Sequence, residues 1–448
     1  MTAPRPADRL GEALAPEARP PGVRVVLDLR PLQDPGRAPT TAAYLERLLG
    51  AYAADPLPGE SFVLLLQAGG ADPSDRFPGL AVAGRRRLPP TRLLRSGALA
   101  LDPFLIRGAE IGTAFRAART GAAGAVFHTA GGPVPLAAGL PTVATLLDLA
   151  PWELPHAYQA SPAAWFGQRL RGRLLRDAGA VIVGAQATAL AARRLLHLAP
   201  EGVHVIPLAP TAAFGPGRPA ASAPLDPAFA ARLAREREAL GLPERFLVFF
   251  GRYDARKDLG SLLAALALLR SSGRPGSLAA GSAWPPVLLL VGASPEDRAA
   301  VARAAARAGV GDQLAYAPHL EPARLGVLVA GARAVVLPAI SEATGLPVIE
   351  ALASGTPVVA SAVGANPELV GRAGILVEPR DPGRLARALG TVWADDAAHG
   401  RLLAAALERA AGPRRTWADV ARETRQVYAA TARAPGLRGR TALVVPPR

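Results

Sequence analysis

The stretch Leu337-Pro-Ala-Ile-Ser-Glu342-Ala-Thr-Gly345-Leu-Pro347-Val-Ile-Glu350-Ala-Leu-Ala-Ser-Gly355-Thr-Pro357-Val-Val decides the reading of the chain. An apolar run, Ala334–Leu337, predicts a strand that ends at Pro338. A loop carrying Glu342 and Gly345 follows. A helix is predicted over Leu346–Ala353, because proline suits a first helical turn, where its missing N–H costs nothing. Pro357–Ala360 then reads as the next strand. Strand, loop, helix and strand in succession form the repeating unit of a helix-wrapped parallel sheet.

The same alternation extends outward in both directions. Upstream, short apolar runs predict strands at Val23–Leu29, Phe62–Leu66, Ala125–Phe127, Thr142–Leu146, Ala180–Val183 and His204–Ile206. Tyr44, Leu45, Leu48 and Leu49 recur at helical spacing within Thr41–Ala51. Prolines and glycines cluster from Pro210 to Pro227, which predicts an interdomain linker. The pattern restarts with strands at Phe246–Phe250, Val287–Val291, Leu314–Tyr316 and Gly374–Val377. Helices alternate with them at Leu259–Leu269, Pro295–Ala308 and Pro322–Ala330. The expected division is a flexible segment 1–22, a first domain 23–212, a linker 213–228 and a second domain 229–415. A helix at 416–432 is expected to return to the first domain, before a flexible tail at 433–448.

Composition bounds the function. The chain has 448 residues and is 50% apolar, enough for two buried cores. Its 46 glycines and 45 prolines stay below the roughly 25–30 % that marks low complexity. Cysteine is absent, which excludes disulfides, thiolate metal sites and a Cys nucleophile. The net charge of +15 rests almost wholly on arginine; Lys257 is the sole lysine. That balance favours anionic partners such as phosphates. No aromatic residues interleave the basic runs, so no nucleic-acid partner is expected. None of the six histidines forms an i, i+4 pair, and no Asp-x-Asp occurs, so no metal is expected. Asp8, Glu12 and Glu17 interrupt the N-terminus, which is not a signal peptide. No apolar run long enough to span a bilayer is free of Pro and Gly. The expected place of action is the cytoplasm.

Two constellations carry chemistry. At the start of the Leu346 helix, free backbone N–H groups and the helix dipole form an anion site. Glu342 lies before that helix and Glu350 one turn inside it, so both carboxylates reach a ligand docked at its N-terminus. A carboxylate accepts hydrogen bonds from neighbouring hydroxyls, which suits a ribose or a sugar. Plain helix capping accounts for the same acids. The second constellation is Phe249-Phe250-Gly251-Arg252-Tyr-Asp-Ala-Arg256-Lys257-Asp258-Leu259. Gly251 permits close backbone approach. Arg252, as a fork, and Lys257, as a point charge, are suited to converge on a diphosphate. A solvated basic turn is the plainer alternative.

Together these stretches resemble the GT-B glycosyltransferases of the large group 1 (family 4) type. Asp28-Leu-Arg30-Pro31, Phe127-His128, Leu147-Asp148-Leu149, His204-Val-Ile-Pro207 and Pro367-Glu368 resemble further segments of that family. The resemblance implies an α/β, GT-B fold of two doubly wound Rossmann-like domains facing a central cleft. It implies a retaining, metal-independent enzyme that moves a hexose, mannose among the candidates, from a nucleotide diphosphate sugar. The acceptor would be a glycan or a lipid-linked molecule in cell-surface polysaccharide or glycolipid synthesis. The donor is a substrate, and no cofactor is implied.

By that resemblance Glu350 binds the nucleotide ribose, and Glu342 binds the donor sugar or stabilises its reacting face. Arg252 and Lys257 neutralise the leaving diphosphate. Gly251 and the amides of Gly345 and Leu346 hold phosphate or sugar. His128 and Asp148, at strand ends of the first domain, are further candidates for substrate binding. The chain departs from the family at Ala343-Thr344, Leu147, Gly184 and Arg37-Ala-Pro39-Thr40-Thr41. Those departures keep a second reading open, a non-catalytic GT-B protein that binds a nucleotide sugar or a glycan. Arg85-Arg86-Arg87, Arg92 and Arg95 lie beside Leu88, Leu93, Leu94 and Leu99. They read as a solvated basic face, or as a peripheral contact with an acidic membrane.

Overall fold

The apolar runs become strands buried on both faces, the pattern that parallel sheets impose on sequence. The structure, a computed structural model, describes residues 20–89, 102–106, 124–136, 139–276, 278 and 282–433. Among these, seven parallel strands form the first sheet: β1 (Arg24–Asp28), β2 (Ser61–Gln67), β3 (Val82–Leu88), β4 (Ala125–Ala130), β5 (Thr142–Leu146), β6 (Ala180–Val183) and β7 (Val203–Val205). Their order is β3-β2-β1-β4-β5-β6-β7. Six form the second sheet: β8 (Leu247–Phe250), β9 (Leu288–Val291), β10 (Leu314–Ala317), β11 (Ala334–Leu337), β12 (Val358–Ser361) and β13 (Gly374–Val377). Their order is β10-β9-β8-β11-β12-β13. Each sheet is wound outward in both directions from its first strand, the doubly wound α/β class that the sequence predicts.

The helices of five residues or more begin with α1 (Pro39–Ala54), α2 (Pro162–Arg176) and α3 (Gln186–Leu196). The second sheet is covered by α4 (Pro227–Ala239), α5 (Leu259–Ser271), α6 (Pro295–Arg307), α7 (Pro322–Gly331), α8 (Leu346–Ala353), α9 (Asn366–Val370), α10 (Pro382–Ala394) and α11 (Asp396–Ala411). The last helix, α12 (Trp417–Arg433), crosses back and packs on α1, β4 and β5. Side-chain caps fix several starts. Ser161, Asp226 and Ser294 accept the backbone N–H of Ala164, Phe229 and Asp297. Each such cap contributes about 1 kcal/mol.

Val420, Ala421, Val427, Tyr428 and Ala429 of α12 belong to the first domain's core. A buried fork, Arg425 to Glu60 at 2.7 and 2.8 Å, ties the helix to the start of β2. The second domain begins slightly before its expected boundary. Ala213 and Phe214 already pack in its core, and α4 starts at Pro227 behind its Asp226 cap.

Arg85 and Arg87 are exposed and Arg86 is half-buried, which fits the reading of a solvated basic face. They lie in β3, which pairs in parallel with β2 at the edge of the first sheet. Arg85 is engaged by Asp72 and by the Ser74 hydroxyl, the latter at 3.0 Å. Charges on an edge strand discourage edge-to-edge pairing between molecules. Arg92 and Arg95 lie outside the described residues. No described helix is long and apolar enough to cross a membrane.

Candidate active site

β8 and β11 are neighbours in the second sheet although their pairing positions Val248 and Val335 lie 87 residues apart in the chain, so the two sequence constellations leave adjacent strand ends together. The carboxyl ends of such strands are where doubly wound sheets bind ligands. A bond from Ile340 N to Arg256 O, 2.7 Å, stitches the two loops. Gly251 leaves β8 at φ +131°, and Gly345 precedes α8 at φ +61°. A Cβ on Gly345 would stand 2.1 Å from Leu369 Cδ1, so only glycine fits this turn.

The loops bury a charge pair. Lys257 Nζ lies 2.5 Å from Glu342 Oε2, and Glu342 Oε1 accepts the Gly345 N–H at 3.1 Å. Burial by itself would raise the Glu342 carboxyl. The Lys257 and Arg256 charges, with the Lys257 and Gly345 hydrogen bonds, hold it down at about 2. Glu342 therefore stays ionised.

Glu350 has a different setting. Its Oε1 accepts from Arg47 Nη2 of α1, in the other domain, at 2.9 Å. Burial raises this carboxyl to about 7, against the pull of Arg47. Arg47 lies over the Trp417 ring at 5.7 Å, and its Nη1 is buried with no hydrogen-bond partner. Leu346 and Ile349 of α8 pack against the first domain's core.

Other contacts close the cleft along the same loop. Thr188 Oγ1 donates to Ala343 O at 2.6 Å, and Ser341 Oγ donates to Glu153. Glu368 accepts the N–H groups of Gln186, at 3.0 Å, and Ala187, at the start of α3. A carboxylate there is favoured by the free amides of the helix terminus.

The remaining expected residues are distributed unevenly. Asp148 lies just past the end of β5; its Oδ1 accepts the Ala150 N–H at 2.8 Å, and its Oδ2 stands 3.1 Å from Arg256 Nη1. Arg252 does not join Lys257. Its side chain is 41% exposed and lies 3.4 Å from Asp254. Arg256, quoted in the motif but given no role, is buried instead and faces the first domain. Gly251 is exposed, with open space where a Cβ would be.

His128 is a correction. It is fully buried in mid-strand, away from the cleft. Its Nε2 shares a hydrogen bond with Thr145 Oγ1 at 2.9 Å, and its Nδ1 with the Tyr428 hydroxyl at 2.7 Å. Burial pushes it down to about 3, so it is a neutral residue packed under α12. Sequence reasoning missed Arg47, Arg171 and Tyr158, each isolated from any motif. Among the described residues, no group of three or more His, Asp or Glu could hold a metal ion.

Residues 244–395 match the family model described as glycosyl transferases group 1. A D-inositol 3-phosphate glycosyltransferase of Streptomyces griseus is 38% identical over 161 residues, covering 35% of this chain and 34% of that protein. The chain thus spans about a third of the length of this curated relative. Sucrose-phosphate synthase from Thermosynechococcus elongatus has a similar structure, with a TM-score of 0.63 and 22% identity over 91% of this chain and 98% of that one. HepE of Anabaena, solved in complex with UDP and glucose, gives a TM-score of 0.63 and 17% identity over 91% and 100%. The fold is GT-B, and residues 244–395 match a group 1 glycosyltransferase domain.

Proposed function

We propose that the protein is a retaining glycosyltransferase of the family 4 type that moves a hexose from a nucleotide diphosphate sugar to a glycan or lipid-linked acceptor. The observation that carries this reading is the buried Lys257–Glu342 pair at the amino end of α8, with Glu350 one turn further in. Cleaving the anomeric C–O bond builds positive charge on the sugar and negative charge on the diphosphate. Lys257 and the amides of Gly345 and Leu346 are placed to receive the negative charge. Glu342, ionised, faces the sugar, and Glu350 accepts the ribose hydroxyls once Arg47 has moved off it. Arg252, exposed at the rim, swings onto the diphosphate as it enters. Asp148 lies on the acceptor side of the reacting bond.

These roles need no metal, because the protein's own cations answer the diphosphate. The UDP bound in the structure of HepE supports a uridine nucleotide as the first donor to test. Mannose is one candidate hexose, and the product belongs to cell-surface polysaccharide or glycolipid synthesis at the cytoplasmic face of the membrane. Lipid-linked acceptors would bring the protein against acidic bilayers. A second reading, a nucleotide-sugar or glycan binder without turnover, is favoured by Ala343-Thr344 and by the occupation of Glu350 by Arg47.

Thermal denaturation with UDP, GDP, ADP and dTDP tests the donor reading. A ligand at one hundred times its dissociation constant stabilises by about 2.7 kcal/mol. Stabilisation by one nucleotide, with slow hydrolysis of its sugar to the retained anomer, is the expected result. Stabilisation without any hydrolysis or transfer selects the binder, and no stabilisation removes both.

A further inference from the structure

The outer face of the first domain carries apolar side chains and unpaired cations together. α2 and α3 cover the same side of the first sheet. Leu174 and Leu175 of α2 and Ala189 and Ala192 of α3 share one core with Ala144 and Leu146 of β5 and Val181 and Val183 of β6. The helices also meet each other: a Cβ on Gly172 of α2 would stand 3.6 Å from Leu196 Cδ2 of α3. Their outward faces therefore lie side by side.

That shared face is apolar at one end and basic at the other. Trp165 and Phe166, early in α2, are 47% and 53% exposed, and Leu190 of α3 is 63% exposed. These are three of the five large apolar side chains exposed among the described residues. Arg169, Arg173 and Arg176 follow Trp165 at helical spacing, and all three are exposed. Arg193, half-buried, and Arg194, exposed, follow Leu190. Neither helix contains an acidic residue; Asp177 stands just past the end of α2. Among the described residues none of these five guanidinium groups is paired with a carboxylate. Arg169 rests on the Trp165 ring at 4.7 Å. Crossover helices of a parallel sheet start at the carboxyl ends of the strands and run back along it. The start of α3 is at the cleft, where Glu368 accepts the Gln186 N–H at 3.0 Å. The apolar end of the face is thus the end nearest the cleft mouth.

We propose that the α2–α3 face docks the protein on a bilayer containing anionic lipid and holds the cleft mouth beside the membrane from which the acceptor enters. Trp and Phe suit the boundary between headgroups and acyl chains. The arginine forks suit lipid phosphates. Each basic residue near an acidic membrane surface strengthens binding roughly fivefold. A second copy of this chain on the same face would set like charges against each other. The proposal rests on the glycosyl-transfer reading and selects its lipid-linked acceptor.

The test is co-sedimentation of the full chain with vesicles of phosphatidylcholine, or of equimolar phosphatidylcholine and phosphatidylglycerol. We expect at least about tenfold tighter binding to the anionic vesicles, weakening as salt is raised. Combined Arg169→Gln, Arg173→Gln and Arg176→Gln should abolish that preference. Combined Trp165→Ser and Phe166→Ser should weaken binding to the anionic vesicles about tenfold or more while leaving it salt-sensitive. Arg303→Gln with Arg307→Gln, on the exposed face of α6 in the second domain, should change binding less than twofold. No preference in the parent, or an undiminished one in the arginine variant, overturns the proposal. Equal loss in the α6 variant overturns it too, because net charge alone would then govern binding. Undiminished binding in the ring variant also overturns it, because charge alone would then be recognised, as by an acidic protein. No nucleotide enters this measurement. Failure of every nucleotide to stabilise the protein removes the donor reading and leaves the vesicle result standing, so the two failures are distinguishable.

Discussion

Glu342 and Glu350 bracket the first turn of α8, and their surroundings drive them in opposite directions. Glu342 finds its compensation within its own domain: Lys257 at 2.5 Å and the Gly345 amide. It is held at about 2. Glu350 depends on Arg47 of the other domain, and burial outweighs that partner, raising it to about 7. The first carboxylate is part of the second domain's architecture in any arrangement of the two domains. The second is compensated only while the cleft is shut. On the proposed reading, the intradomain pair would preorganise the reacting end of the site, and the interdomain pair would couple the ribose end to closure.

The pH dependence separates them by sign. Glu342 is depressed, so its contribution to stability is present above its ordinary value of 4.5 and is lost as pH falls towards 2. Glu350 is raised, so the folded protein holds the extra proton between 4.5 and about 7. Stability from this group is present below 4.5 and is lost as pH rises through 7.

The largest expected effect comes from breaking the intradomain pair. Lys257→Met leaves Glu342 buried without its partner, a change that typically costs about 3–5 kcal/mol. Transfer should fall by roughly two to three orders of magnitude, in line with loss of one preorganised electrostatic contact. Pairing it with Glu342→Gln should recover most of the stability, because both charges are then gone, and none of the turnover. Chemical denaturation and steady-state kinetics on the three variants decide this. Full stability in Lys257→Met alone would mean that Glu342 is not compensated by that lysine.

Glu350→Gln should act next. Losing a charged hydrogen-bond partner for the ribose weakens nucleotide binding by about 1.5–3 kcal/mol. The same variant should flatten the fall in stability between pH 4.5 and 7, a difference of up to a few kcal/mol from the parent. Melting curves across that window read the second effect independently of any ligand. A parent protein whose stability does not fall there, relative to the variant, would contradict the raised carboxyl.

Much of this fold was legible because buried parallel strands are continuous apolar runs. β5, β6 and β11 fall where the sequence places them. β3 was not legible: three consecutive arginines erase the apolar signal, and edge position supplies their tolerance. In β4, His128 shares a face with Val126 and Ala130, which belong to the core beneath α12. The sequence locates His128 at a strand but is silent on which face the returning helix covers. Glu342, Lys257 and Glu350 were legible because each sits at a strand exit or helix start. Arg47 lies inside a helix 303 residues from Glu350, and nothing local marks it. Arg256 was overlooked for Arg252 because the turn Ala255–Lys257, which aims Arg256 inward, is a feature of three dimensions.

Arg47→Gln gives the smallest expected effect and bears directly on the interdomain pair. In the closed molecule Arg47 occupies the carboxylate that the ribose would use, so nucleotide must compete with it. Both side chains are largely buried, and the cost of desolvating the two charges offsets most of their attraction, leaving a net contribution of about 1 kcal/mol. Removing it should tighten nucleotide binding by about fivefold or less. The measurement compares pH 8 with pH 6; losing Arg47 raises Glu350 further, so the ionised carboxylate in the variant is recovered only towards the upper value. At pH 6 the gain should vanish, because the freed carboxyl takes up a proton and accepts ribose hydroxyls less well. Equal tightening at both values would place the benefit elsewhere, in easier opening of the cleft. Weaker binding at pH 8 would mean that Arg47 stays beside the nucleotide and contributes a contact of its own, so that the interdomain pair assists the donor instead of excluding it.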